Sequence, residues 1–201
     1  MQFVSEDLVG AALHKLQKDH NINRQQLFLQ TKWLRLLVQV TKKNWHVLDF
    51  SRFTPIEGQD TTKPIPYDPS DPIPQQIATS CQKSLANLHT TYIDSYLLHG
   101  PYPSIEQTLE AWHALMKLQD EGKVRMIGMS NTHDVKMLAA LQKARKVQVV
   151  QNRWYEGNKW DKQVVGYCQQ HEIMYQYVCC FLSFFLSFLY WPSIADWKWK
   201  T

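Results

Sequence analysis

Polar side chains stand where several short apolar runs of the sequence end. The set consists of Lys32, His99, Ser130, Asn131, Gln151 and Asn152. It brings together an amine, an imidazole, a hydroxyl and carboxamides, all of which make hydrogen bonds. If the apolar runs are parallel strands of one closed sheet, their carboxyl ends converge on a single mouth, where an active site would lie. These residues are therefore the candidate site.

Most of these residues also have an ordinary structural interpretation. A lysine such as Lys32 is more often a surface residue whose stem packs along apolar neighbours, and a lone His99 is more often a core histidine. Ser130 and Asn131 can simply cap the helix that follows them. Gln151 is harder to explain in this way, because a polar side chain that ends an apolar run needs a hydrogen-bond partner.

The composition excludes several other kinds of chemistry. The chain has 201 residues, of which 44% are hydrophobic and 20% charged, which is typical of a globular protein with one core. A net charge of +4 without a long basic run gives no indication of nucleic-acid binding. No glycine-rich phosphate-binding motif occurs. Because Cys81, Cys168, Cys179 and Cys180 form no C-x-x-C pair, neither a zinc site nor a disulfide framework is expected.

The first ten residues also bear on the compartment. They include Glu6 and Asp7 and lack the apolar core of a secretory signal. Together with the cysteine pattern, this favours a reducing compartment, and we expect a cytoplasmic protein.

The elements that would carry the candidate site alternate along the chain. Helical periodicity predicts helices at residues 5–18, 77–88, 104–121, 135–144 and 162–170. Apolar runs predict strands at 27–31, 92–98, 124–129, 147–151 and 173–177. This alternation predicts an α/β fold with a parallel sheet.

Two arrangements satisfy the right-handed crossover rule, a doubly wound sheet and a (β/α) barrel. A doubly wound sheet would usually carry a glycine fingerprint after its first strand, and this chain has none. The polar residues at several strand ends favour the barrel. We therefore expect a partial (β/α)8 TIM barrel with about five of the eight strands.

Particular segments of the sequence also resemble a known family. They are LFLQTK at 27–32, YIDSYLLHGP at 92–101, GKVRMIGMSN at 122–131 and VVQN at 149–152. In this order and spacing they resemble the aldo-keto reductases, over residues 3–32 and 53–176.

The resemblance implies a barrel that binds NADP(H) and transfers hydride to an aldehyde or ketone. The family's catalytic groups are an Asp, a Tyr, a Lys and a His, and Lys32 and His99 stand where its lysine and histidine stand. Ser130, Asn131 and Gln151 resemble the residues that hydrogen-bond the nicotinamide carboxamide. Tyr177 resembles the aromatic residue that stacks on the nicotinamide ring.

The sequence departs from the family at the remaining catalytic positions. Phe3 occupies the place of the catalytic tyrosine and has no hydroxyl to donate. The position of the catalytic aspartate would precede Met1. The resemblance therefore implies that the chain as printed is inactive, or nearly so.

Two segments find no counterpart in the family. We interpret residues 1–176 as an incomplete barrel domain, interrupted by an insert at 33–52, and residues 177–201 as an apolar tail. Both segments are explained by retained introns or a gene-model error, and the competing interpretation is an authentic variant. Residues 173–195 carry no formal charge and are long enough to span a bilayer, although a buried strand running into non-family sequence is favoured.

The resemblance thus implies an oxidoreductase that uses NADP(H) and a small-molecule aldehyde or ketone. One alternative is a catalytically dead remnant or gene-model fragment. Another is a tail-anchored membrane protein whose cytosolic part derives from the barrel.

Overall fold

The strands of the chain lie side by side in one parallel sheet, in chain order. The computed structural model describes residues 5–35 and 65–178. Its strands are Gln30–Trp33 (β1), Ile93–Leu98 (β2), Val124–Ser130 (β3), Val149–Arg153 (β4) and Met174–Val178 (β5). Its α-helices are Glu6–His20 (α1), Ile73–Asn87 (α2), Ile105–Asp120 (α3), Val135–Ala144 (α4) and Lys162–Gln170 (α5). The predicted α/β alternation is confirmed.

Helix boundaries follow local sequence signals. Ser104 precedes α3, and its side chain accepts a hydrogen bond from the backbone N–H of Gln107 at 3.1 Å. Asp134 does the same for Lys136 at the start of α4, at 2.8 Å. Such caps satisfy N–H groups that have no partner within the helix. The predicted bounds of α4 and α5 are those observed.

The position predicted for the first strand is wrong. The structure places β1 at Gln30–Trp33 rather than at 27–31, so Lys32 lies inside the strand and not after it. Lys32 pairs in register with Leu97, and Trp33 pairs with Leu98. Trp33 is 1% exposed, because it faces the helical layer. The apolar run was a poor guide because Leu27 and Leu29 pack against the same core from just outside the strand.

The main core lies between the outer face of the sheet and the helices. Alternate strand residues such as Tyr96, Ile127 and Val150 are fully buried there, against Trp112 and Leu138 from the helices. Burying a large apolar side chain contributes about 1.5–3 kcal/mol. This layer therefore holds the strands in place.

The inner face of the sheet has a second, smaller apolar cluster. Leu97, Met126 and Val149 form it, with Met174 packed alongside. Gly128 lies between them, and a Cβ there would stand 2.2 Å from the carbonyl oxygen of Val149, so no other residue fits without a shift of the strand.

Side chains of the two edge strands meet across the inner face. Gln30 of β1 donates from Nε2 to Oε1 of Gln176 of β5 at 2.8 Å. Since β1 and β5 stand at opposite edges of the sheet, this contact requires a strongly curved sheet. The inner face is thus the lining of a barrel-like hollow.

Some expectations fall outside the described residues. They concern Phe3, residues 36–52 of the insert and residues 179–201 of the tail. Of the uncharged segment 173–195, the described part contributes β5 to the sheet. Within residues 5–35 and 65–178, no helix is long and apolar enough to cross a membrane.

Candidate functional site

Lys32 projects from β1 on the inner side of the sheet. Its Nζ lies 3.5 Å from Oγ of Ser130 at the end of β3, although β2 separates the two strands. The side chain is partly buried. Burial lowers the pKa of the Lys32 ammonium to about 8, because taking a charge out of water disfavours the charged form.

His99 follows β2 directly. Its backbone N–H donates to the carbonyl oxygen of Trp33 at 3.0 Å, so it continues the pairing of β1 with β2. Burial, together with the positive charges of Lys32 and Arg153, lowers the pKa of the imidazole to about 4. His99 is therefore neutral at pH 7, with one ring nitrogen able to donate and the other to accept.

Ser130, Asn131 and Gln151 form one hydrogen-bonded group at the carboxyl ends of β3 and β4. Oγ of Ser130 donates to the carbonyl oxygen of Gln151 at 2.8 Å, and the backbone N–H of Asn131 donates to the same oxygen at 3.1 Å. Asn131 has a φ of 49°, a left-handed conformation that asparagine tolerates. Its Nδ2 donates to the carbonyl oxygen of His99 at 2.6 Å. The structure thus brings these three residues together with Lys32 and His99.

Two glutamines that the sequence analysis missed hold Gln151 in place. Nε2 of Gln151 donates to Oε1 of Gln176 at 2.8 Å, and Nε2 of Gln176 donates to Oε1 of Gln30 at 3.1 Å. The alternation of side chains along a strand is the signal that finds them. Gln30 shares a strand face with Lys32, and Gln176 pairs in register with Gln151.

Tyr177 is not brought into this group. It neighbours Gln176 in β5 and pairs in register with Asn152. Its ring lies 5.7 Å from that of Trp154, which in turn lies 4.5 Å from Trp160. The cofactor contact implied for Tyr177 by the family resemblance stays a prediction.

A second polar cluster lies behind the mouth, on the outer side of the sheet. Asp161 is 5% exposed and interacts with Nδ1 of His133 at 3.0 Å, Nδ2 of Asn152 at 2.6 Å and the hydroxyl of Tyr175 at 2.8 Å. Burial raises the pKa of the Asp161 carboxyl, but these partners outweigh burial and leave the pKa below its usual range. Asn152, which the sequence placed in the candidate site, belongs to this cluster.

The arrangement limits the chemistry that the site can perform. Among the described residues, no group of His, Cys, Asp and Glu side chains could hold a metal ion. The site offers a buried amine, a neutral imidazole and side-chain carboxamides. No described residue donates to Oε1 of Gln151 or Oδ1 of Asn131, so both remain acceptors. An amide NH2 group of a ligand would satisfy them.

Comparisons with known proteins bear on the family of the chain. The model of the Aldo/keto reductase family matches residues 2–175. Methylglyoxal reductase DkgA of Escherichia coli (strain K12) is 46% identical over 48 residues, which are 24% of this chain and 18% of that protein. An aldo-keto reductase of Mycolicibacterium paratuberculosis is 31% identical over 71 residues, which are 35% of this chain and 25% of that protein.

Solved structures show the same fold. The crystal structure of an aldo/keto reductase from Brucella melitensis has a TM-score of 0.59 at 25% identity and covers 85% of this chain, which spans 52% of that one. A Bombyx mori aldo-keto reductase in complex with NADP has a TM-score of 0.57 at 19% identity, with 86% and 47% of the two chains covered. The chain thus spans about half the length of these structures. It belongs to the aldo/keto reductase family of oxidoreductases, with the partial barrel expected from its alternating strands and helices.

Proposed function

We propose that this chain binds NADP(H) at the mouth of its barrel and acts on the carbonyl group of a small aldehyde or ketone. The observation that carries the proposal is the convergence of Lys32, Ser130 and Gln151 from three strands, with Nζ of Lys32 at 3.5 Å from Oγ of Ser130. Membership of the Aldo/keto reductase family supports it. When bound, NADPH supplies the hydride.

The acceptors at the mouth fit the nicotinamide end of this cofactor. Nε2 of Gln151 is engaged by Gln176 and Nδ2 of Asn131 by His99, so each side chain presents its oxygen. A nicotinamide carboxamide has an NH2 group with two hydrogens to donate. Gln151 and Asn131 are therefore the residues that would hold it, and Gln30 and Gln176 would keep Gln151 in the binding orientation.

Lys32 and His99 are the groups proposed to meet the carbonyl. Because its pKa is about 4, His99 is uncharged at pH 7 and can donate one N–H to a carbonyl oxygen. Lys32 is largely protonated at pH 7, since its pKa is about 8, and places a positive charge beside the oxygen on which negative charge develops.

The proposed reaction needs a proton donor, and the position of the family's donor holds a residue that cannot donate. Phe3 stands where the resemblance places a tyrosine, and general acid catalysis typically contributes about 10²–10⁴-fold. We therefore propose a chain that binds the cofactor but turns over slowly. A catalytically dead remnant is the limiting case of this proposal.

The proposed substrate and compartment follow from the relatives and the cysteines. The Escherichia coli relative is named a methylglyoxal reductase, so a small 2-oxoaldehyde is the first substrate to assay. Cys81 and Cys168 are free and buried, which suits the reducing conditions of the cytoplasm.

Titration of NADPH, followed by tryptophan fluorescence, tests the proposal. We expect Gln151→Leu to weaken binding about fivefold, because one hydrogen bond contributes about 1 kcal/mol. Gln169→Leu, on the exposed side of α5, is the matched control and should bind as the parent chain does. Absence of NADPH binding, or equal affinities in the parent and Gln151→Leu, would contradict the proposal.

A further inference from the structure

The side chain of Asn152 binds the backbone of the segment that follows β3. Its Oδ1 accepts a hydrogen bond from the backbone N–H of Thr132 at 3.0 Å, and its Nδ2 donates to the carbonyl oxygen of the same residue. Nδ2 also donates to Oδ2 of Asp161 at 2.6 Å. Asn152 is 1% exposed, so water cannot replace a lost partner, and each of these hydrogen bonds is costly to break.

The orientation of the Asn152 carboxamide follows from its partners. Nδ2 faces two acceptors, the carbonyl oxygen of Thr132 and the carboxylate of Asp161, and Oδ1 faces a donor. A rotated amide would set NH2 against N–H and oxygen against oxygen. Asp161 is itself held by Nδ1 of His133 and the hydroxyl of Tyr175. The group that orients Asn152 therefore has a fixed position of its own.

The hydrogen bonds to Thr132 bear on Asn131, the residue before it. The pairing of β3 with β4 ends at Ser130 and Gln151, and the chain then turns at Asn131, whose φ is 49°. This left-handed conformation costs free energy in a residue that has a Cβ, even in asparagine, so the backbone has to be held on both sides. The sheet holds Ser130, and the side chain of Asn152 holds Thr132.

We propose that Asn152 is a positioning residue for the cofactor: by fixing Thr132, it holds Asn131 in the conformation whose Oδ1 accepts a hydrogen bond from the nicotinamide carboxamide. This role rests on the proposed function and gives that site a residue that lies behind the mouth. Asn152 itself would touch neither cofactor nor substrate, because its hydrogen bonds are made on the outer side of the sheet. An acceptor that is already in place binds more tightly than one that must be ordered on binding.

The expected effect of Asn152 is confined to the nicotinamide end of the cofactor. Nδ2 of Asn131 is engaged by the carbonyl oxygen of His99 at 2.6 Å, so Oδ1 is the atom that the NH2 group of the carboxamide would meet. If the backbone at Asn131 moves, this hydrogen bond is lost and contacts to the rest of the cofactor stay. A ligand without the NH2 group should therefore bind equally well with or without Asn152.

Titrations with NADP+ and with its acetylpyridine analogue test the proposal. The analogue carries a methyl ketone in place of the carboxamide and has no NH2 group to donate to Asn131. We expect Asn152→Leu, which is similar in shape, to weaken NADP+ binding about fivefold, the value of one hydrogen bond. The analogue should weaken less than about twofold. Tryptophan fluorescence measures both Kd values.

Gln148→Leu is the matched control for Asn152→Leu. Gln148 directly precedes β4, and its Oε1 accepts a hydrogen bond from the backbone N–H of Ile127 in β3 at 3.0 Å. It thus joins the same two strands through a carboxamide, but at their amino-terminal end. We expect Gln148→Leu to bind NADP+ as the parent chain does. Far-UV circular dichroism verifies folding, and Asn152→Ser, which leaves room for a water molecule, is the second variant if Asn152→Leu fails to fold.

A double variant shows whether Asn152 acts through Asn131. Asn131→Gly keeps the left-handed turn accessible and removes the carboxamide side chain. In that background Asn152→Leu should weaken NADP+ no further, since the two changes remove the same hydrogen bond. Additive losses would overturn the proposal.

The remaining outcomes separate this role from the proposed function. Equal NADP+ affinities in the parent chain and Asn152→Leu would overturn the positioning role alone. Equal losses for NADP+ and the analogue, or an equal loss in Gln148→Leu, would also overturn it, because they would show a general disturbance of the fold. Absence of NADP+ binding in the parent chain would contradict the proposed function and, with it, the role of Asn152.

Discussion

Two buried charged side chains, at opposite ends of the sheet, differ in their partners. Asp94, at the start of β2, is 2% exposed. Its carboxylate forms ion pairs with Arg24 at 2.7 Å and Arg125 at 3.2 Å, and accepts a hydrogen bond from the backbone N–H of Leu29 at 2.9 Å. Lys32, toward the other end of the neighbouring strand, has the hydroxyl of Ser130 at 3.5 Å. One end surrounds its charge with opposite charge, whereas at the other end no carboxylate of residues 5–35 and 65–178 pairs with the amine.

The difference indicates that one end of the barrel serves stability and that the other end carries the candidate site. Taking a charge out of water has a free-energy cost, which only a partner can offset. Asp94 has such partners, so it stabilises the fold. Within the part of the chain that the structure describes, no carboxylate pairs with Lys32, and burial lowers its pKa to about 8. Asp94 lies at the amino-terminal end of its strand, the face that serves stability in a (β/α) barrel, and Lys32 lies toward the carboxyl ends, where such barrels carry their sites.

Removing the charge of Asp94 should have the largest effect on stability. Asp94→Asn leaves the guanidinium of Arg24, which is 11% exposed, without its carboxylate. Breaking a buried ion pair costs about 3–5 kcal/mol. We expect the free energy of unfolding, measured by urea denaturation, to fall by that amount.

Asp120→Asn is the matched control for Asp94. Asp120 pairs with Arg145 at 2.7 Å but is 62% exposed, and exposed pairs contribute about 0–1 kcal/mol. Equal losses in the two variants would show that burial of Asp94 is not what makes its ion pairs important.

Asp161 lies between these extremes, because its partners are polar but mostly uncharged. Replacing it by Asn keeps a residue that tolerates its φ of 48°, but turns an NH2 group toward the donors of Asn152 and Tyr175. We expect a loss of about 2 kcal/mol in the free energy of unfolding. His133→Gln, at a side chain that is 44% exposed, should cost less. A larger loss in His133→Gln would show that the imidazole, not the carboxylate, organises the cluster.

The sequence predicted the fold better than the site. Alternating apolar runs and helical periodicity are local properties, so α4 and α5 were placed at their observed bounds. Lys32, Ser130 and Gln151 were found because polar residues at buried strand ends are conspicuous. Gln30, Gln176 and Asp94 were not, because their importance depends on contacts between strands distant in sequence, such as the 146 residues that separate Gln30 from Gln176.

Lys32→Met should change stability in the direction opposite to Asp94→Asn. Methionine keeps an unbranched chain of similar length and removes the amine that burial disfavours. Replacing a buried charge by an apolar group is often neutral or stabilising, and we expect a gain of up to about 1 kcal/mol at pH 7 by urea denaturation. The gain should shrink above pH 8, where the native amine is uncharged in the parent chain as well. A loss of several kcal/mol would show that Lys32 is stabilised by a partner, and would end the contrast with Asp94.

The smallest effect concerns the pH dependence that His99 contributes. Its native pKa is about 4, below the ordinary value of about 6.5, so between these values the unfolded chain takes up a proton that the native imidazole does not. Stability therefore falls as the pH falls from 6.5 toward 4. Between pH 6.5 and 5.5, the free energy of unfolding should fall in both chains. We expect the fall to be larger in the parent chain than in His99→Gln, by about 1 kcal/mol. Thermal melting of both chains across this range measures the difference, and carboxylates that titrate nearby cancel because both chains contain them. A difference that stays constant with pH, or that favours the parent chain at low pH, would show that His99 is solvated in the native state and lies outside the desolvated site that Lys32 occupies.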